Sequence, residues 1–313
     1  MKIFTHNFNP TSNSGPNKFT RDLFLNLEKR KECEITFDQK KSDLEFCLIQ
    51  SQFEKIKPMA LRLDGIYFNT SQDFKIQNSP IEKAYKKSDV VIFQSNFNKS
   101  LTEHWFGNHE NSVVIHNASS AKTPAGIDIL PKIEKDVEVW SCASNWRPHK
   151  RLLDNIEYYL KFSPKESYFA IAGAGIDQVM LEKIKEKIRY FKEPQKQILI
   201  LGELNYESLL ALYGRSTKFI HLAYLDHCPN VVVDAQACGC EVVCSSTGGT
   251  NEIVYSGQII NEKEWNFEPI RLYEPPSFDF DNIDVVSIKN DVEHSKIFDK
   301  CLEAYKDTFK SII

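Results

Sequence analysis

Short apolar runs alternate with amphipathic stretches along this chain, a pattern that predicts repeated βα units. Runs at Ile3 to His6, Glu34 to Phe37, Phe46 to Gln50, Ala60 to Leu63, Val90 to Gln94 and Val113 to His116 read as a first set of strands. Phe19, Leu23, Phe24 and Leu27 recur at helical spacing and predict a helix after the first strand, entered through a polar loop over Asn7 to Gly15. Further helices are predicted at Ile81 to Lys87 and Asn96 to Trp105. The alternation stops in the polar, Pro- and Gly-containing stretch 117–134, which reads as an interdomain linker. It restarts with predicted strands at Val137 to Ala143, Phe169 to Ala172, Gln197 to Leu201, Lys218 to Leu222 and Glu241 to Ser245. Helices are predicted between them at His149 to Phe162, Asp177 to Tyr190, Glu207 to Gly214 and Pro229 to Cys238. Near the end, Phe298, Cys301, Leu302, Tyr305 and Phe309 share one helical face. Two successive βα sets predict an α/β protein with two doubly wound, mostly parallel sheets, whose ligands bind beyond the carboxyl ends of the strands.

The predicted organisation is a first domain over 1–134, a second over 135–290 and a terminal helix over 291–313. A length of 313 residues accommodates two such domains. The net charge of −4 lacks the basic excess of a nucleic-acid binder. No apolar run reaches the length of a membrane span, and the N-terminus has no signal-like hydrophobic region, so a cytoplasmic location is expected. The cysteines follow no disulfide framework, and Cys238 and Cys240 lack the partners of a zinc site. They read as buried thiols.

The densest chemistry lies between Asp226 and Glu252. Pro229 suits the first position of a helix, where its missing N–H costs nothing. The free amides that follow make an anion site suited to a diphosphate. Gly239 stops that helix, and Gly248-Gly249-Thr250 follows the next strand. Ahead of this segment, Asn145-Trp146-Arg147-Pro148-His149-Lys150-Arg151 places three basic residues after the first strand of the second set. Cations there stabilise charge developing on a leaving diphosphate.

Together, Asp226-His227-Cys228-Pro229-Asn230, Asp234-Ala235-Gln236-Ala237-Cys238-Gly239 and Gly248-Gly249-Thr250-Asn251-Glu252 resemble the C-terminal domain of glycosyltransferase family 4. The resemblance implies the GT-B fold: two Rossmann-like domains facing a cleft, with a C-terminal helix packing back on the first. It implies transfer of a sugar, with retention of anomeric configuration, from a nucleoside-diphosphate sugar to a hydroxyl acceptor such as a saccharide. No metal or other cofactor is implied, and peripheral membrane contact stays open.

By the same resemblance Asp226, Lys150, Arg147 and Asp64 belong to the catalytic centre. Asp234, Asn230, His227, Gly248, Gly249, Thr250, Arg151, Gly173 and Leu204 contact the donor, and Gly15 marks the acceptor loop. Asp234 would meet the ribose hydroxyls. The chain departs from the family at both acidic positions, which are aspartates rather than glutamates. It departs again at Asn145, where the family has arginine, leaving Arg147 or Arg151 as the second cation. The glycine loop is reduced to Ser14-Gly15-Pro16, and no histidine stands near Asp64. Asp279-Phe280-Asp281 reads as a surface loop. Two other classes fit these motifs: a non-catalytic sugar-nucleotide-binding partner of another transferase, and a GT-B nucleotide-sugar epimerase.

Overall fold

The computed structural model describes residues 1–12 and 14–313; Asn13, within the predicted polar loop, lies outside them. The first sheet is entirely parallel, in the order β2-β1-β3-β4-β5-β6. Its strands are β1 (Lys2–His6), β2 (Glu34–Thr36), β3 (Leu44–Leu48), β4 (Met59–Leu63), β5 (Val90–Phe93) and β6 (Ser112–Val114). Helices α1 (Gly15–Lys29), α2 (Phe74–Lys87) and α3 (Asn96–Phe106) cover it. β3, β4 and β5 are buried along their whole length, as expected for a parallel sheet covered on both faces.

The second sheet has the order β13-β12-β11-β10-β7-β8-β9. Its strands are β7 (Glu138–Ala143), β8 (Ser167–Ala172), β9 (Lys196–Gly202), β10 (Lys218–His221), β11 (Glu241–Ser245), β12 (Ser256–Ile260) and β13 (Val285–Lys289). All pair in parallel except β12 with β13. Helices α4 (Leu152–Phe162), α5 (Gln178–Phe191), α6 (Tyr206–Arg215) and α7 (Asn230–Ala237) complete this unit.

Three differences from the sequence reading have clear causes. Helix α2 begins at Phe74, capped by Asp73, and carries Pro80 in its interior. The proline lacks the N–H that would bond the fourth residue back, Ile76, which lies on the exposed side. The segment His149 to Phe162 is not one helix. A 3-10 turn over Pro148–Lys150 precedes α4, and Arg151 between them has φ 51°, a left-handed conformation that ends the turn. Strands β12 and β13 escape a search for apolar runs, because their residues mix Ser, Gly, Gln and Lys with the aliphatics.

The last helix, α8 (His294–Lys310), packs on the first unit. Its Phe298, Cys301, Leu302, Tyr305 and Phe309 join Ile3, Phe19, Leu23 and Phe46 in one apolar core. The segment 261–284 also crosses over. Its Ile270 exchanges backbone hydrogen bonds with Phe68 and Thr70 of the first unit, at 3.1 and 2.9 Å. Trp265 and Phe267 pack beside Phe68 and Phe97. Glu252 supplies a third tie. Its carboxylate accepts the free N–H groups of Asn96 (2.7 Å) and Phe97 (2.8 Å) at the start of α3. It also accepts from the Asn96 side-chain amide, at 2.8 Å, and meets the His116 ring, at 2.9 Å. A carboxylate suits the positive end of a helix, so the second unit caps a helix of the first. Burial pushes the Glu252 carboxyl up, but His116 and the two backbone amides outweigh it and hold the carboxyl below its ordinary value. The eight cysteines are all free, seven of them buried and Cys238 half-buried.

Candidate active site

The carboxyl ends of both sheets face each other across a cavity of about 450 Å³. Its wall is built where strands stop. Asp64 follows β4, Gln94 follows β5, Ser144 and Asn145 follow β7, and His221 is the last residue of β10. Arg147, His149, Lys150, Asp226, His227, Pro229 and Asn230 come from the two segments that the sequence singles out.

Asp226 is the electrostatic centre. The residue before it, Leu225, takes φ 56°, a left-handed conformation that costs a leucine roughly 1–2 kcal/mol. That turn presents the carboxylate to two partners. Lys150 donates from Nζ at 2.5 Å, and His221 Nε2 lies at 2.9 Å. Burial alone would raise the Asp226 carboxyl; Lys150 and His221 more than offset it and hold the group well below the usual carboxylate range. Asp226 therefore stays ionised. Arg147 projects into the same cavity, is exposed, and has no acidic partner among the described residues. It is the cation there with its charge uncommitted.

The structure corrects the place of Arg151. That side chain turns away from the cavity and is buried against Glu262 in a two-point ion pair, both contacts 2.8 Å. It also donates to the Pro276 carbonyl and lies over the rings of Tyr224 and Phe278. A guanidinium held this way fixes the 261–284 crossing and stays out of the cavity wall.

Pro229 caps α7, which starts at Asn230, one residue later than the sequence predicts. Asn230 has two commitments. Its Oδ1 accepts from Asn117 (2.8 Å), and its Nδ2 donates to the Gly15 carbonyl (2.8 Å). The predicted acceptor loop and the predicted donor helix thus meet through one side chain. Asp64 lines the cavity and pairs with Arg62, which is fully buried. Burial pushes the Asp64 carboxyl up, against the pull of that guanidinium.

The glycine pair serves the scaffold rather than an open wall. Gly248 has φ +81°, and a Cβ there would stand 2.4 Å from the Asp226 carbonyl oxygen. The Gly249 N–H donates to that same oxygen at 2.7 Å. The close backbone approach inferred from the sequence is to the Asp226 turn, which the pair braces. Thr250 is buried behind it, outside the cavity wall. Gly173 likewise packs on the Ser144 backbone. Leu204 is half-buried and packs against the second core.

Asp234 faces a separate cavity of about 240 Å³, between α1, α7 and the 118–121 stretch. There Ser119 donates to it at 2.5 Å, Tyr206 at 3.3 Å, and Lys18 of the first unit lies 3.6 Å away. Burial raises its carboxyl, and Lys18 pulls it back.

Sequence reasoning missed Gln94, Asn117, His149 and His221 as wall residues. Gln94 and His221 stand at strand carboxyl ends, so position alone marks them. His149 stacks on Tyr273, ring centroids 5.5 Å apart. Burial first, then Lys150 and Arg147, push its pKa down to about 3. The unfolded chain therefore takes up a proton on this ring below about pH 6.5, while the folded one stays neutral until about pH 3. Stability should fall as pH falls through that window. Melting temperatures between about pH 7 and about pH 4 should drop less steeply in His149→Gln than in the parent. An unchanged slope would place the acid sensitivity elsewhere.

Residues 131–266 match the sequence model of the family described as glycosyl transferases group 1. No curated protein matches the chain by sequence. The fold is that of the GT-B glycosyltransferases among solved structures. Among solved structures, HepE of Anabaena in complex with UDP-glucose aligns at TM-score 0.60 and 15% identity, over 99% of this chain and 92% of its own. Sucrose-phosphate synthase of Thermosynechococcus elongatus aligns at TM-score 0.65 and 11% identity, over 83% of this chain and 86% of its own. WaaG, a glycosyltransferase involved in lipopolysaccharide biosynthesis, aligns at TM-score 0.60 and 11% identity, over 99% and 94%. At these identities the likeness is one of fold. Among the described residues no helix is long and apolar enough to cross a membrane.

Proposed function

We propose that this protein transfers a sugar from a nucleoside-diphosphate sugar to a hydroxyl acceptor, with retention of anomeric configuration and without a metal ion, in the manner of glycosyltransferase family 4. The observation that carries the reading is the convergence of Lys150, Arg147 and the start of α7 on one cleft, with Asp226 between them. When the sugar–phosphate bond breaks, negative charge grows on the departing diphosphate. Two cations and the free amides of α7 stabilise it in place, which lowers the barrier more than equal binding of the ground state would. Asp226 holds Lys150 through a charge-assisted bond, and the carboxylate lies within reach of a sugar hydroxyl. The acceptor hydroxyl approaches from the first unit, past Gly15 and Asp64, and a diphosphate oxygen takes its proton. The HepE structure holds UDP-glucose, which supports a nucleotide sugar as donor.

The test is release of nucleoside diphosphate from a panel of sugar nucleotides, with and without EDTA, followed by NMR assignment of the product anomer. Diphosphate release that survives EDTA, with the donor's anomeric configuration kept, is the expected result. No release from any donor would end the enzyme reading. Loss in EDTA, or inversion, would remove that part of it.

A further inference from the structure

The loop Gly248-Gly249-Thr250-Asn251-Glu252 has two ends with different tasks. Its glycine end braces the Asp226 turn within the second unit. Gly248 bridges to Asp226, and the Gly249 N–H donates to the Asp226 carbonyl at 2.7 Å. Its glutamate end grips the first unit. Glu252 Oε1 accepts from the Phe97 N–H, and Oε2 accepts from the Asn96 N–H and side-chain amide and meets His116. Both oxygens are thus committed to the first unit. Thr250 and Asn251 alone separate the two ends, and Thr250 is buried. The loop also packs directly on the α3 cap, because a Cβ on Gly249 would stand 2.5 Å from Ser95 Oγ.

From the start of α3 the path continues to the facing wall of the cleft. Asn98 is fully buried and donates from Nδ2 to the Leu63 carbonyl at 2.6 Å. Leu63 ends β4 and is followed by Asp64. The Phe97 ring lies 5.4 Å from the ring of His227, the residue after Asp226. Asp226 and Asp64, which line the cavity from different units, are therefore tied to one anchor that itself stands outside the cavity wall. The anchor is stiff: a carboxylate bonded to the amides of a helix start is held by charge and by direction.

We infer that Glu252 is a positioning residue for the transfer reaction, holding α3 and the Asp226 turn at one spacing and so aligning the two walls of the cleft. The inference rests on the sugar-transfer reading. Binding of a diphosphate does not need this spacing, since Lys150, Arg147 and α7 all belong to the second unit. Chemistry does need it, because the groups that meet donor and acceptor come from different units and reacting atoms must be aligned closely. The carboxylate is required at this position. A glutamine offers its oxygen to one of the two backbone N–H groups and turns its own NH₂ toward the other. An aspartate keeps the charge on a side chain one methylene shorter.

The experiment compares the whole parent chain with Glu252→Gln and Glu252→Asp, each held well below its melting temperature. Nucleoside diphosphate release is followed from UDP-glucose, UDP-galactose and GDP-mannose, with a mixture of methyl glycosides as acceptors. Affinity for UDP and GDP is read by titration calorimetry, and amide hydrogen exchange is read at Asn96, Phe97 and Gly249. In both variants kcat should fall by about tenfold or more, while nucleotide affinity stays within about twofold of the parent. Exchange at the Gly249 N–H should quicken together with exchange at Asn96 and Phe97. In the parent, the nucleotide that binds should slow exchange at Asn96 and Phe97, because coupling between two sites is reciprocal, and it should not do so in Glu252→Gln. An unchanged kcat, a nucleotide affinity that falls in step with kcat, or faster exchange confined to α3 would each reduce Glu252 to a local cap and overturn the inference. The parent alone can overturn it as well, if a nucleotide binds and exchange at Asn96 and Phe97 does not respond. If the parent binds neither UDP nor GDP and releases neither, it is the sugar-transfer reading that fails.

Discussion

Lys150→Ala is expected to lower kcat for sugar transfer by roughly 10²–10³-fold, the range seen when one preorganised donor to a developing anion is removed. Two effects combine in that variant. The leaving diphosphate loses a cation, and Asp226 loses the partner that does most to hold its charge. Steady-state kinetics separate them. Loss of leaving-group stabilisation lowers kcat and kcat/KM together, whereas loss of ground-state binding raises KM with kcat unchanged. Lys150→Arg keeps the charge and should recover part of the rate. A kcat within a few-fold of the parent in Lys150→Ala would mean that Arg147 and the α7 amides carry the charge alone. Arg147 is the weaker lever by position, being exposed and screened by solvent.

Arg62→Ala should be the most destabilising single change away from the cavity, by about 3–5 kcal/mol, because it leaves a buried charge without its partner. The guanidinium is wholly buried, and it serves three groups at once. It pairs with Asp64, donates from Nε to the Tyr305 hydroxyl at 3.0 Å, and from Nη2 to Asn117 Oδ1 at 2.9 Å. Its plane also lies 4.3 Å over the Phe19 ring. Chemical denaturation reads the loss directly. The double variant Arg62→Met with Asp64→Leu should recover much of it, since removing both charges abolishes the unpaired one. If the double variant is no more stable than the single, the arginine's packing rather than its charge is what counts.

How far the chain's own pattern reaches is clearest in the second sheet. Strands buried on both faces are continuous apolar runs, so β7, β8, β10 and β11 stand out by residue type alone. The edge pair β12 and β13 does not, because most of its positions are only partly buried or exposed and its residues mix Ser, Gly, Gln and Lys with the aliphatics. At the candidate site, Asp226 and the α7 start are legible because they share one short segment, and Arg147 and Lys150 because they follow a strand's carboxyl end in another, 76 residues before Asp226. The fate of Arg151 is not, since Glu262 lies 111 residues away and reaches it only after the 261–284 crossing forms. Asp234 repeats the lesson. Its spacing from Asp226 is a local fact, but its pairing with Lys18 depends on how α1 meets α7.

Helix α8 has a consequence for the order in which the first unit acquires its core. A ribosome delivers the first sheet early, yet the apolar face of α1 and the buried end of Arg62 wait for Phe298 to Phe309, which emerge after every strand of both sheets. Until then the first unit lacks part of its own core, and the second can finish ahead of it. Biosynthesis of this molecule thus closes a loop in which residues made early and residues made about 280 positions later settle together.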